Sequence, residues 1–441
     1  MLKLDGRIST LLDSLYKYLL AAVLIFIPLY PKFPLFNVPF TYVAIRAEDF
    51  LIALVWLFFL VKVVIQKKVR FPKITLQFAV FFFIAFASSL SAIFITKNVQ
   101  PVIVLLHFFR RIEYMSVFFL IYWAGKDAGT RRYFLELALL PAIGVFLYGI
   151  GEIYFGAPVI STMDRESSKG IALVLRPGVT LNSTFAGHYD LAVYLSMMLT
   201  FLMAISSGIK NWLKRLPFLG MFILMLWLFM QAGSRISLIG VFFSVGVVSY
   251  YFRQYLLGFI FCCLIAIFVL SSPQYVSRFK SIFNAVFHTS QLVVRPVYAA
   301  QATPSATPEA VSAPAPAQDI STNIRLKVEW PRAIRAFTKS PLLGTGYSSI
   351  TLATDNDYLR AIGETGLLGL LSFLALLLGI GKFLFSSVKN SKVVDKIILV
   401  SAIGIFVGFL TTATFIDVFE SSKIAILFWA FMGLAFSTKS K

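Results

Sequence analysis

Apolar runs, separated by short clusters of charged and turn-forming residues, organise this 441-residue chain from end to end. A helix that crosses a bilayer needs about 20 predominantly apolar residues. Twelve runs fit that description, with centres near residues 24, 56, 85, 114, 145, 196, 224, 243, 263, 372, 404 and 428. They predict an all-α polytopic membrane protein of about twelve transmembrane helices. The first nine fall within residues 1–271 and the last three within 356–441. Two long polar stretches interrupt the rhythm, residues 157–184 and residues 272–355. The larger contains "AAQATPSATPEAVSAPAPAQ" (299–318), with eight alanines, four prolines and no apolar periodicity, which predicts a disordered insert. The flanking segments "SPQYVSRFKSIFNAVF" and "NIRLKVEWPRAIRAF" read as amphipathic surface helices, the second interrupted at Pro331. Such helices lie in the interface plane with aromatic residues down and cations up.

Composition agrees with this pattern. Hydrophobic residues make up 59% of the chain and charged residues only 14%, against roughly 25% charged in a soluble domain. The net charge of +20 does not form one basic patch, so nucleic acid is not an expected partner; membrane lipids are. Most of the excess lies in alternate short loops, at Lys67, Lys68, Arg70 and Lys73, at Lys126, Arg131 and Arg132, at Lys210, Lys214 and Arg215, and at Lys382, Lys389, Lys392 and Lys396. The intervening loops are poorer, with Lys32 and Arg46, then Lys97, then Arg235 alone. The positive-inside bias predicts both ends of the chain on the cytoplasmic side and both long loops outside. The first apolar run has no small-residue cleavage site after it and is expected to be a retained helix. Cys262 and Cys263 sit inside an apolar run and read as packing residues. No internal repeat is visible, which weighs against a transporter.

Candidate chemistry concentrates at the predicted outer boundary. "TDNDYLRAIGETGLLGLL" places Asp355, Asn356, Asp357, Arg360 and Glu364 at the start of the tenth span. Asp357, Arg360 and Glu364 share one helical face. Gly363, Gly366 and Gly369 recur on a neighbouring face, where they would let another helix approach. A helix start with a capping residue and ion pairs accounts for part of this cluster. Ionisable groups at a membrane boundary also mark functional sites. "DND" at 355–357 further admits an Asp-x-Asp metal clamp. Arg235 breaks the charge trend as a lone outside arginine, suited to grip phosphate oxygens. Arg176 lies in "LRPGVTLNSTFAGHYDLAVYL", followed by His188 and Asp190 at the mouth of the sixth span. Its "NST" matches a glycosylation sequon, a pattern common by chance. Arg325 opens the second amphipathic segment. Inside the fourth span, "HFFRRIEYM" gathers His107, Arg110, Arg111 and Glu113 as an expected ion-paired cluster. Arg176, Arg235, Arg325 and Asp355 come from distant parts of the chain, yet the topology puts them on one side. Several arginines and one carboxylate suit a diphosphate with an adjacent hydroxyl to activate, as in a polyprenyl-diphosphate-linked glycan.

These motifs resemble the O-antigen ligase and O-antigen polymerase superfamily of bacterial envelope glycosyltransferases. Asn356, followed after nine residues by Gly366 and then Gly369, resembles the family's His-Asn…Gly-x-x-Gly pattern, with Glu364 at its usual place. Pro341, Leu342, Gly344 and Gly346 resemble its Pro-Leu-x-Gly-x-Gly lead-in. "GSRISLIG" resembles its Ser-Arg span start at Arg235. Arg325 with Trp330 resembles the basic residue and Trp of its large-loop helix, and Arg176 is a looser match to an Arg-x-x-Gly loop. The resemblance covers about residues 170–440. It implies a GT-C-like fold and transfer of a glycan from undecaprenyl diphosphate to a hydroxyl of a lipid, glycan or protein acceptor. The reaction would occur at the outer face of the cytoplasmic (inner) membrane, in envelope polysaccharide biosynthesis, without cofactor or metal. Arg235 and Arg325 would hold the diphosphate with Arg176 assisting and His188 lining the site. Asn356 would cap the helix, and Glu364 would hold Arg360. One departure is Asp355, where the ligase pattern has His. Asp has an ordinary pKa near ~3.9, yet it can orient a hydroxyl and take its proton late. Polymerases of the same superfamily are the nearest alternative. A twelve-span transporter or lipid flippase is a more distant one.

Overall fold

The computed structural model describes residues 6–66 except 32, 40 and 42, then 71–160, 172–173, 180–271, 325–350, 354–389 and 391–439. Its helices are α1 (Gly6–Leu29), α2 (Ala47–Gln66), α3 (Thr75–Ser91), α4 (Pro101–Ala124), α5 (Ala128–Leu137), α6 (Leu139–Tyr154), α7 (His188–Gly208), α8 (Trp212–Ala232), α9 (Arg235–Phe252), α10 (Tyr255–Ser271), α11 (Trp330–Lys339), α12 (Asp357–Ser387), α13 (Val393–Thr412) and α14 (Ser422–Ser437). Pro34–Asn37 pairs with Ala44–Arg46, and Val159–Ile160 with Ala172–Leu173, in two short antiparallel ladders. A helix stands over each of the twelve predicted centres. Eight segments among the described residues are long and apolar enough to cross a membrane. The chain is an all-α polytopic membrane protein. Its outward surface carries Leu76, Phe83, Ile95, Leu256, Phe259 and Leu378 largely exposed, a surface stable only against hydrocarbon.

α7 is buried along most of its length, and its neighbours approach through small residues, which is how helices associate in lipid. A Cβ at Gly240 of α9 would lie 2.9 Å from the Gly408 carbonyl of α13, and Ser244 Oγ donates to Gly404 O at 2.8 Å. These pairings make α9 and α13 antiparallel. Thr200 against Gly404, and Gly208 against Ile397, make α7 and α13 antiparallel as well. The first residues of α7 and α9 therefore share one end of the bundle with the last residues of α13. α12 begins at that same end, because Asp357 N donates to Ala413 O at 3.0 Å. So does α14, which follows a short turn after α13.

The glycines of α12 do something other than admit a helix along a smooth face. Gly366 has φ 70° and ψ −172°, and the helix breaks there. The break deprives Gly363 O and Glu364 O of their usual partners, the amides of Leu367 and Leu368. The loop after α11 replaces both bonds: Thr345 N donates to Gly363 O at 3.1 Å and Gly346 N to Glu364 O at 2.8 Å. In return, Leu367 N donates to Pro341 O at 2.8 Å and Leu368 N to Leu342 O at 3.2 Å. Every polar group freed by the break is satisfied, as burial requires. The approach is so close that a Cβ on Gly344 would strike the Glu364 carbonyl, and one on Gly366 the Leu342 carbonyl. Gly363 does receive a helix, since α11 lays Ala333 against it.

The second amphipathic segment also departs from expectation. Arg325–Glu329 forms a π-helical turn, and α11 follows with Pro331 in its first turn. Pro331 stands where the π-helical turn passes into α11, in the first turn of that helix, a position proline favours. The expected insert 299–318 and the first amphipathic segment lie outside the described residues.

Gly366→Ala and Gly344→Ala should each destabilise the protein by at least about 1–3 kcal/mol from the positive φ alone, read as a lower unfolding temperature in detergent. Gly220→Ala in α8, where an added methyl meets nothing within 4 Å, should unfold with the wild type. Equal unfolding temperatures for all three would contradict the interlocked break.

Candidate active site

The turn that leads into α12 is pinned from outside. Asp417, in the loop after α13, accepts from Thr354 N at 2.8 Å and from Asn356 N at 3.0 Å. The same carboxylate lies 3.5 Å from Arg360 Nη1. Between the two held amides, Asp355 adopts a left-handed conformation with φ 48°, which Asp tolerates better than most residues. Asn356 is the helix cap: its Oδ1 accepts from Leu359 N at 2.9 Å while its Nδ2 donates to Thr414 O at 3.0 Å.

Held this way, Asp355 meets Arg325. Its Oδ2 accepts from Arg325 Nε at 2.9 Å and lies 2.7 Å from Nη2. Two guanidinium nitrogens on one carboxylate oxygen form a charge-assisted contact of the strong kind. The Asp355 side chain retains 22% exposure. Burial raises its pKa above the ordinary value; the Arg325 charge opposes that shift and Asp417 adds to it. Arg325 also lies over the ring of Tyr189, 5.9 Å from its centroid, and Tyr189 packs on His188 at 4.1 Å between ring centroids. The start of α7 thus forms one wall of the Arg325–Asp355 contact.

The remaining expected site residues divide into three groups. Arg235 is the first residue of α9, half-buried behind its cap Ser234, at the same end of the bundle. Glu364 and Arg360 lie deeper. Glu364 Oε1 accepts from Ser348 N at 3.1 Å and stands 3.8 Å from Arg360 Nε, so the pair ties the lead-in loop to α12 and Asp417. Arg176 lies outside the described residues. The two carboxylates of "DND" are committed apart: Asp355 goes to Arg325, whereas Asp357 Oδ2 accepts from Phe419 N at 3.1 Å. Asn182 of the "NST" sequon is only 5% exposed, because its amide is held by Glu152 in α6.

The cationic cluster of α4 keeps Arg110 beside Glu113 and parts Arg110 from Arg111. Arg110 turns to α2, with Ala44 O at 2.7 Å and Asp49 at 3.7 Å. Arg111 turns inward to pair with Glu420. The cavity beside it, lined by Arg111, Tyr347, Asp357, Arg360, Glu364 and Glu420, measures about 30 Å³. That is room for a water-sized group, too little for a sugar, so this layer supports the site rather than receiving substrate.

The shared end carries both signs of charge, with Asp190, Asp355, Asp357, Asp417 and Glu420 standing among the cations. The N-termini of α7, α9, α12 and α14 all lie there, each contributing a fraction of a positive charge. Arg235 and Arg325 add full charges. Sequence reasoning had passed over Asp417, Tyr189 and Glu420. Asp417 and Glu420 stand in "TFIDVFESS", an acidic break between two apolar runs, which was signal enough to include them. Tyr189 had no such signal.

Residues 220–374 match the family whose model is described as O-Antigen ligase. Over that stretch the chain is similar to the O-antigen ligase/polymerase superfamily. No curated protein matches it. The matched region contains Arg235, Arg325, Asp355, Asn356, Glu364 and the interlocked glycines, whereas His188 and Asp417 lie outside it. Members of this family are membrane glycosyltransferase-like ligases and polymerases.

Asp417→Ala would leave two buried amides and Arg360 without their shared acceptor. The expected loss of stability is about 3 kcal/mol. Hydrogen–deuterium exchange should become faster at the amides of Thr354 and Asn356, and unchanged exchange there would refute the pinning role.

Proposed function

We propose that this protein is a membrane glycosyltransferase of the O-antigen ligase type, transferring a glycan from undecaprenyl diphosphate to an acceptor hydroxyl at the outer face of the cytoplasmic membrane. The observation that carries the reading is the Arg325–Asp355 contact at the bundle end where Arg235 and four helix N-termini also lie. In this reading all twelve apolar helices cross the membrane in a GT-C-like arrangement, with both chain ends inside and the site outside. Residues 1–271 and 356–441 supply the spans and 272–355 the outer loop.

The acceptor oxygen attacks the anomeric carbon, and the bond from that carbon to the diphosphate breaks. Negative charge grows on the departing lipid diphosphate. Arg235, the donors of Arg325 not engaged by Asp355, and the helix N-termini stabilise that charge without having to reorient. Arg176 assists from the first long loop, and His188 with Tyr189 flanks Arg325. Asp355, rigid in its pinned turn, orients the acceptor. Asn356 acts through the cap it forms, and Arg360 with Glu364 through the loop they hold.

Arg235→Ala and Asp355→Asn should each lower glycan transfer by about 100-fold or more, as loss of one oxyanion-stabilising donor does, while transfer by the wild type continues in EDTA. Full activity in both variants would reject the assignment. A single addition to the acceptor is expected for a ligase; a ladder of repeats would move the chain to the polymerase side of its superfamily.

A further inference from the structure

A second carboxyl group faces the same contact. Glu329 closes the π-helical turn that Arg325 opens. Its Oε2 is buried and has no hydrogen-bond partner among the described residues. The charged groups around it are Arg325 on its own turn, Arg332 on α11, Asp355 before α12 and Asp417 after α13, with Tyr189 of α7 on the far side of Arg325. Two more buried polar atoms nearby in sequence lack partners among the described residues: the indole nitrogen of Trp330 and the hydroxyl of Thr354. Trp330 follows Glu329 and packs its ring 5.9 Å from Phe415; Thr354 precedes Asp355. Buried polar atoms are nearly always satisfied, and those that are not need an explanation. Of these, Glu329 Oε2 is the one that feels the charges of Arg325 and Asp355, an unfilled acceptor that a carbohydrate hydroxyl group would satisfy.

Asp355 has one oxygen, Oδ2, already held by two guanidinium nitrogens of Arg325, whose charge disfavours its protonation. Among the described residues, no such clamp holds Glu329 Oε2. We propose that Glu329 is the catalytic base that receives the acceptor's hydroxyl proton, and that Asp355 with Arg325 is the positioning pair beside it. This inference rests on the transfer reaction proposed above. As the acceptor oxygen bonds to the anomeric carbon, the carbon–oxygen bond to diphosphate breaks and its electron pair leaves on phosphate. The hydroxyl proton passes to Glu329 Oε2 and is released to water between turnovers. Burial first, and then the charge of Asp355, push the Glu329 carboxyl up to about 7, a value suited to accepting and returning a proton near neutral pH. The base works ionised, so transfer should weaken as pH falls through that value.

The test is single-turnover transfer by the full chain in proteoliposomes, using an undecaprenyl-diphosphate-linked glycan, from about pH 5 to 9. The wild-type rate should fall about tenfold per unit below about pH 7. Glu329→Gln should lower the rate by about 100-fold or more and lose that acid limb, yet still gain thermal stability from undecaprenyl diphosphate, as the wild type does. Glu329→Asp should keep part of the rate with the limb moved to lower pH. A Glu329→Gln rate within about twofold of wild type with the limb intact would overturn the inference. If Glu329→Gln does not fold, an unmoved limb in Glu329→Asp overturns it equally. Should Arg235→Ala and Asp355→Asn be inactive while Glu329→Gln is not, only the base is wrong; should those two be fully active, the site itself is wrong.

Discussion

A backbone cannot be broken in a low-dielectric interior unless every freed amide and carbonyl finds a partner, and α12 is broken at Gly366. The loop from Pro341 to Gly346 satisfies that demand bond for bond, taking over two carbonyls and offering two in return. This exchange fixes where the long outer segment rejoins the bundle. It also seats α11 against Gly363, and α11 is the continuation of the turn that carries Arg325 and Glu329. A lock made of main-chain hydrogen bonds thereby determines how that turn approaches Asp355.

The second constraint is ionic. Asp417 uses one carboxylate to hold the amides on either side of Asp355 and to meet Arg360, which in turn meets Glu364 beneath the lead-in loop. Asp355 is left in a left-handed conformation with its side chain delivered to Arg325. Charged residues in the outer layer are therefore of two kinds. Arg360 and Arg111 are shared among the carboxylates of Glu364, Asp417 and Glu420, and with Asp357 most of these groups line a cavity of water size. Arg235, Arg325, Asp355 and Glu329 stand at the end where helix N-termini converge, the arrangement expected of a site that binds a diphosphate and moves a proton.

Much of this was legible in the sequence for a simple reason: apolar runs of bilayer length and the glycine, proline and arginine spacings are local properties. The helices over all twelve centres, the cap at Asn356 and the grouping of Arg325 with Asp355 on one side follow from them. The same local view misread Gly366 as an element of a smooth helix face, because a positive φ is invisible until the partner that satisfies the broken backbone is known. It likewise put Arg111 with Arg110 and Glu113, whereas Arg110 stays by Glu113 and Arg111 pairs with Glu420. On a helix, adjacent residues point about 100° apart, and these two arginines serve different neighbours.

The sequence by itself determined the membrane class and the family motif, since hydropathy and residue spacing act within single segments. Only the tertiary structure decided who meets whom: that Asp417 pins the turn, that Arg325 clamps Asp355, and that Glu329 Oε2 has no partner among the described residues. Those choices depend on contacts between residues tens to hundreds of positions apart, and such contacts are selected by packing and by the need to satisfy buried polar groups, neither of which any one segment contains.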